Sequence, residues 1–362
     1  MLQFIKELIQ NNKIVIEQVV FLDFSLYSGK SIDYKNILLD FQEMYPKKEP
    51  FFVFDEIQDI ANFKELVLGL YNLGYQIFLS GSNSKLLSSE LSTHFRGRVF
   101  EYKVFPLTFT EILGFLDMPL RSQYATRDLA KMHNILQTTL KFGNFPEIVL
   151  SENPLFKTDN LKTYLDVLIY KDLLERYKIE NEVALKFLLK SLTIGFTKYV
   201  NISKIYNTLK SQNIKIGKST LFDYYEYIKN IFYVFELENF YNTKATKKIA
   251  LYNIGFNAIY SSKTNLGQAF ENLVFLELLK KYKQVFFKKN GDEIDFYIPE
   301  DQINIQVCYE LTDENLERET KVFKKTKQEE TNILIIAKNS TTFPQKDSNF
   351  KVIDFLKFVF IF

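Results

Sequence analysis

Over the first 110 residues, short apolar runs alternate with longer amphipathic stretches. VVFLDF (19–24), FFVFDE (51–56), QIFLSG (76–81) and FEYKVF (100–105) are rich in Phe, Val and Ile and short enough for buried strands. FIKELI (4–9) is amphipathic at helical spacing. In IANFKELVLGLYNLG (60–74), Phe63, Leu66, Val67, Leu70 and Leu73 recur every three or four residues. That spacing predicts one buried helix face, and Gly74 predicts its end. Strands alternating with helices predict a mostly parallel sheet.

The pattern changes twice. From about 125 to 190 it is helical, with NLKTYLDVLIYKDLLERYKI (160–179) the longest amphipathic element. Residues 201–240 have the rhythm of a winged helix-turn-helix. One helix carries Ile202, Ile205 and Leu209, and a second opens with Thr220 as cap and Asp223 three residues on. FYVFELENF follows as a wing strand. From 262 the order is a helix (LGQAFENLVFLELLKKY), a hairpin turning near Asn290-Gly291, a strand (INIQVCYEL), a charged helix and a buried strand (NILIIAK). The apolar end, FLKFVFIF, reads as a last buried strand, too short to span a membrane. Neither repeats nor low-complexity tracts interrupt this order.

At 362 residues the chain is long enough for about two or three domains. Lys+Arg 46 against Asp+Glu 44 is near balance, so any nucleic-acid surface is a local patch. One cysteine, Cys308, excludes an internal disulfide framework and fits a reducing cytoplasm. The amino end, MLQFIKELIQNNK, lacks the unbroken apolar core of a signal peptide. His94 and His133 stand alone, so they suggest no metal cluster.

Two GKS tripeptides invite a phosphate-loop reading, and both fail. The loop needs GxxxxGK[ST], because its first glycine lets backbone N–H groups wrap the phosphates. Five residues before Gly29 stands Phe24, and five before Gly217 stands Gln212. YSGKSI (27–32) is a turn after a strand, and IGKST (216–220) a turn and helix cap.

FFVFDEIQ (51–58) carries the sharpest chemistry. Four apolar residues run into Asp55-Glu56, which sets two carboxylates at the carboxyl end of a buried strand, where α/β sheets bind ligands. In an ATPase, an aspartate there holds Mg²⁺ and a glutamate orients the attacking water. An acidic cap on the following helix is the competing reading. Ser80, Ser82 and Asn83 end the next strand, and Arg96 and Arg98 precede FEYKVF; arginines so placed stabilise transition-state charge or form a solvated pair.

DEIQ, LSGSNSKLLS, the RGR before a strand and PLTFTEIL together resemble the AAA-type ATPases of the archaeal ATPase-like group, across nearly the whole chain. The resemblance implies an AAA module, a helical and winged-helix region and a nuclease-like end. It implies Walker B roles for Asp55 and Glu56, sensor 1 at Ser82 or Asn83, an arginine finger at Arg96 or Arg98, and ATP with Mg²⁺ as ligands. Such proteins carry a first strand and a GxxxxGK[ST] loop ahead of the helix that opens this chain. That strand lies between those matching QIFLSG and FEYKVF, so an amino-terminal segment is expected to be missing here and the sheet to be incomplete.

Toward the carboxyl end, Glu271 on a helix, Asp295 on the hairpin and Gln306 and Cys308 on the next strand resemble the order of the PD-(D/E)xK nuclease core. There, carboxylates bind Mg²⁺ and a lysine polarises the attack. IQVC puts Gln306 in place of the acid and Cys308 in place of the lysine, which favours a degenerate binding fold over a metal-dependent nuclease. A site with Glu271, Asp295 and Gln306 as metal ligands stays open as the alternative. Without metal, the site is expected to stay open to solvent, or one acid to pair with Lys288 or Lys289 on the same hairpin.

The expected architecture is therefore α/β: residues 1–118 an AAA core without its phosphate loop, 119–190 helical, 191–255 winged helix and 256–362 nuclease-like. The expected function is an AAA-type ATPase linked to nucleic acid, with a non-catalytic DNA-binding protein and a nuclease as alternatives. The expected partners are ATP, DNA, and further copies of the chain or another protein, with no membrane. Lys210, Lys215, Lys218 and Lys229 are the basic groups near the second winged-helix element. Tyr224, Tyr225 and Tyr227 serve there either in binding or in packing.

Overall fold

A computed structural model describes residues 1–27, 29–82, 99–118, 121, 124–261, 263–339 and 349–361. They form two compact units, Met1–Tyr102 and Lys103–Phe362.

In the first unit a three-stranded parallel sheet has the order β1-β2-β3, with β1 Val19–Asp23, β2 Phe51–Asp55 and β3 Ile77–Leu79. Asp23 lies beside Asp55, and Phe54 beside Leu79. Central β2 buries Phe52, Val53 and Phe54 completely, because both neighbouring strands and the packed helices exclude water from it. Helices α1 (Leu2–Gln10), α2 (Tyr34–Met44) and α3 (Phe63–Asn72) accompany the sheet. Asp33 caps α2 through the Lys35 amide at 2.9 Å. α3 buries Phe63, Leu66, Val67 and Leu70, as its spacing predicts, and Gly74 follows in a left-handed turn at φ +90. Leu73 departs from the prediction: it falls past the last helical turn and is 57% exposed.

FEYKVF is not a strand. Residues 99–105 have no regular structure, and Phe100, Tyr102 and Val104 are almost fully exposed. An extended apolar run becomes a strand only where a neighbour completes its ladder, and none among the described residues runs beside it.

The second unit opens with α4 (Phe109–Phe115), whose start is a Thr108/Glu111 capping box. α5 (Thr126–Phe142), α6 (Pro154–Val167) and α7 (Glu182–Ile194) form the helical region. α6 continues as a wider π-helical stretch over Leu168–Glu175, so the expected long helix is one element with a changed pitch. α8 (Ile202–Ser211) and α9 (Lys218–Asn230) come next. α9 begins two residues before the expected cap: Gly217 holds the capping position, and Thr220 lies inside the first turn. Tyr224 and Tyr225 are buried, and Tyr227 stacks on Tyr177 at 3.9 Å, so these tyrosines pack.

Strands β4 (Val234–Asn239) and β5 (Lys248–Leu251) form an antiparallel hairpin. β4 also pairs in parallel with β6 (Phe286–Asn290), so the hairpin joins a seven-stranded mixed sheet ordered β10-β9-β8-β7-β6-β4-β5. Its other members are β7 (Asp292–Ile298), β8 (Ile303–Leu311), β9 (Thr331–Asn339) and β10 (Lys351–Asp354). β6 and β7 turn at Gly291, φ +90, where Asn290-Gly291 predicts the hairpin. α10 (Leu266–Lys281) packs on β8 with Phe270, Leu273, Val274 and Phe275 buried, and the charged α11 (Asp313–Thr320) precedes β9.

The end of the chain corrects the expected strand. Only Lys351–Asp354 is extended, and Phe355–Ile361 is a helix, α12. Phe355, Leu356 and Phe358 are buried, a helical spacing rather than an alternating one, and Asp354 accepts the Leu356 amide at 2.9 Å.

Candidate functional site

Asp55 ends β2, and Glu56 begins the turn beyond it. Glu56 has φ +52 and ψ +46, a left-handed conformation that costs a non-glycine residue about 1–2 kcal/mol. The conformation turns the chain sharply off the strand.

Both acids are held by the end of the next strand. Ser80 donates its hydroxyl to Asp55 Oδ1 and accepts the Glu56 amide at 3.4 Å. Backbone bonds from Ser80 N to Phe54 O (2.9 Å) and from Ile57 N to Ser80 O (3.1 Å) fix the serine there. Gln58 donates Nε2 to Glu56 Oε2 and to Ser82 Oγ (3.4 Å), and Ser82 donates to Glu56 at 3.4 Å. Gln58 Oε1 is buried and has no hydrogen-bond partner among the described residues. A buried acceptor left open costs free energy unless a donor reaches it. The sequence reading named Ser80 and Ser82 but missed Gln58, whose signal was its place two residues after Glu56. Asn83, Arg96 and Arg98 lie outside the described residues.

The first GKS segment is fastened to this turn by hydrogen bonds. Gly29 N donates to Asp59 O at 2.8 Å, Ala61 N donates to Lys30 O at 3.0 Å, and Asn62 bonds both backbone groups of Ile32. The Gly29 and Ile32 amides are engaged by protein acceptors.

In the second unit Glu271 of α10 and Asp295 of β7 come together around Lys248 of β5. The Lys248 ammonium is 2.5 Å from Glu293, 3.4 Å from Glu271 and 3.9 Å from Asp295. Gln306 of β8 accepts the Asp295 amide at 3.4 Å and donates to Glu319 at 3.4 Å, and Asp295 accepts the Val307 amide at 2.9 Å. Burial raises the pKa of Asp295 well above the carboxylate range, with the Glu271 charge adding to it, and burial raises that of Glu271 as well. Burial would lower the Lys248 ammonium, but Glu271, Asp295 and Glu293 together hold it above the usual lysine value. Burial pushes the Cys308 thiol up to about 11, which keeps it protonated near neutral pH.

The partner of the acids differs from the expectation. Lys288 pairs with Glu330 at 2.7 Å, and Lys289 reaches only Glu293, at 3.3 Å. Lys248, distant in sequence and on another hairpin, is the cation that sits among the acids. Among the described residues, no group of three or more His, Cys, Asp or Glu side chains is placed to hold a metal ion. Of the basic groups near α9, Lys210, Lys215 and Lys218 are exposed, whereas Lys229 is engaged by Glu226 (2.7 Å) and Glu236 (3.3 Å).

The parallel sheet and the carboxylates after its central strand define a class. A family model described as an AAA domain matches residues 1–113, and one for a domain of unknown function, DUF8612, matches residues 123–261. The first unit is an AAA-like domain. An uncharacterized protein of Methanocaldococcus jannaschii is 39% identical over 303 residues, covering 80% of this chain and 69% of its own length. An uncharacterized protein of Haemophilus influenzae is 28% identical over 325 residues, covering 84% and 78%. The chain belongs to the family that the Methanocaldococcus protein represents. No helix among the described residues is long and apolar enough to cross a membrane.

Proposed function

We propose that the chain works as an AAA-type ATPase whose metal- and water-facing groups are Asp55 and Glu56. The arrangement after β2 supports this most directly: a strained Glu56 beside Asp55, both held by hydroxyls, with the Gln58 carbonyl open next to them. Asp55 with the Ser80 hydroxyl is a hard-oxygen donor set that suits Mg²⁺. Glu56 accepts a proton from water, Gln58 orients that water through Oε1, and Ser82 holds Glu56 in place. Bound Mg²⁺·ATP would supply the reactive phosphoryl group and the charge that draws it toward the carboxylates. Asn83 with Ser82 serves in this reading as the sensor, and Arg96 or Arg98 as the arginine finger. No Gly-rich phosphate cradle occurs among the described residues. The test therefore uses the chain extended at its amino end by a strand and a GxxxxGK[ST] loop. Mg²⁺-dependent ATP hydrolysis, lost in Glu56→Gln with ATP binding kept, is the expected result. Hydrolysis at the parental rate in Glu56→Gln would reduce DEIQ to a helix cap.

A second reading, nucleic-acid binding, draws on one observation. Lys210 and Lys215 line an open groove of about 680 Å³ between α8 and α9, with Lys218 exposed beside it. A helix pair followed by an antiparallel hairpin is the arrangement of a winged helix, and exposed lysines at its turn suit phosphate contacts. Binding to duplex DNA that weakens steeply with salt and is lost in Lys210→Ala/Lys215→Ala/Lys218→Ala supports it; unchanged binding in that variant overturns it. The C-terminal sheet, in this reading, is a nuclease-like binding platform.

A further inference from the structure

One ammonium in the second unit does what a metal ion does elsewhere. Lys248 projects from β5 into a cluster of three carboxylates drawn from two other elements, Glu271 of α10 and Glu293 and Asp295 of β7. Its side chain is only 6% exposed, against 13% for Asp295 and 19% for Glu271. The Tyr199 hydroxyl and the Lys289 ammonium complete the bonding of Glu293 from the outer side. The space left beside Lys248 and Glu271 is about 10 Å³, at or below the room that one water needs. Three carboxylates this close repel one another and lose solvation, so they stay together with a positive charge among them or with a proton on one of them, and here an ammonium lies within reach of all three. All the nearby acceptors are oxygens, including the Gln306 carbonyl on the neighbouring strand, and such a set suits a hard divalent cation.

We propose that Lys248 is a tethered cation that supplies the charge a divalent metal ion would bring, the carboxylates being spaced around the ammonium and not, as they stand, around a metal. The cluster is therefore metal-independent as built, and removing the lysine charge lets the three carboxylates close on a divalent cation instead. Lys248 is thereby a positioning residue that ties the β4–β5 hairpin to α10 and β7. The proposal does not depend on the ATPase reading.

The test measures thermal unfolding with EDTA or millimolar Mn²⁺, in an Asp55→Asn background that silences the other proposed metal position. The parental chain is expected to melt at the same temperature in both. Lys248→Met is expected to melt several degrees lower in EDTA and to recover with Mn²⁺, with one equivalent bound by calorimetry. Lys248→Arg, which keeps the charge, should ignore Mn²⁺. If Lys248→Met does not fold in EDTA, Lys248→Met/Glu271→Gln/Asp295→Asn is expected to fold there and to be indifferent to Mn²⁺. Stabilisation of the parental chain by Mn²⁺, a folded Lys248→Met that ignores Mn²⁺, or a triple variant no more stable than the single one would each overturn the proposal.

Discussion

Ser80, the residue after β3, donates its hydroxyl to the Asp55 carboxylate at the end of β2 and receives the amide of Glu56. One small side chain thus sets the direction of an acid and of the strained peptide beside it. The first unit spends stability to hold Glu56 left-handed, and strain kept in place by surrounding bonds is characteristic of positions shaped by chemistry.

Nucleotide binding should depend on a phosphate cradle as well as on the acids. Asp55 alone offers one metal contact and no N–H groups to phosphate, so residues 1–362 should bind Mg²⁺·ATP far more weakly than the extended chain. Asp55→Asn in the extended chain should lower the Mg²⁺ dependence of binding. Low-micromolar Mg²⁺·ATP binding by residues 1–362 in calorimetry would bring YSGKSI back as a phosphate site.

Strain at Glu56 also predicts a trade of function for stability. Asparagine tolerates the left-handed region better than glutamate, so Glu56→Asn should be neutral or stabilising by up to about 1 kcal/mol. In the chain extended by the phosphate loop, the same variant should lose ATP hydrolysis, because an amide does not take a proton from water. Denaturant unfolding and turnover measured on one preparation check both halves. A loss of more than about 2 kcal/mol would mean that the bonds to Gln58 and Ser82 outweigh the strain.

The placement of these acids at a strand end was legible in the sequence, and the reasons are local. FFVFDE announces a buried strand ending in acids because four apolar residues precede two charged ones, and α3 shows its buried face through helical spacing. Asn290-Gly291 marks its hairpin by turn chemistry alone. What was missed depends on distant partners. FEYKVF has strand composition, but its structure is decided by whether a neighbour lies alongside. FLKFVFIF is too short and too uniformly apolar for periodicity to separate strand from helix. Glu271 and Asp295 could be placed by their order, whereas the hairpin pairing that sets Lys248 opposite Leu237 and toward the acids leaves no mark near either of them.

Stability of the second unit should fall with rising pH through one glutamate. Glu277 of α10 accepts the Phe109 amide at 2.7 Å, and burial pushes its pKa up to about 7 although Lys280 lies nearby. A carboxyl raised in the folded state favours folding while protonated. Its contribution is therefore full below the ordinary glutamate range and is lost as pH climbs through about 7. Glu277→Gln keeps an acceptor for Phe109 and removes the charge. It should match the parent at about pH 4 and exceed it by roughly 3 kcal/mol near pH 8. Denaturant titrations at the two pH values decide the matter, and a constant difference between the proteins would remove Glu277 as the source.

The parental chain should not nick DNA with Mg²⁺ or Mn²⁺. Metal-assisted cleavage needs carboxylates free to hold the ion and an open position for the attacking water. Here Lys248 takes the centre of the carboxylate cluster, and almost no space remains beside it. Gln306→Glu/Cys308→Lys restores the residue types of a nuclease strand, yet with Lys248 in place it should stay inactive, since the new acid adds charge and leaves the cation where it is. Adding Lys248→Ala should open the cluster to metal, and weak Mn²⁺-dependent nicking of supercoiled plasmid is the expected gain. Nicking by the parent that Asp295→Ala abolishes would show that the cluster is an active site and Lys248 part of it. Activity in the double variant without the third change would show that the lysine is no obstacle.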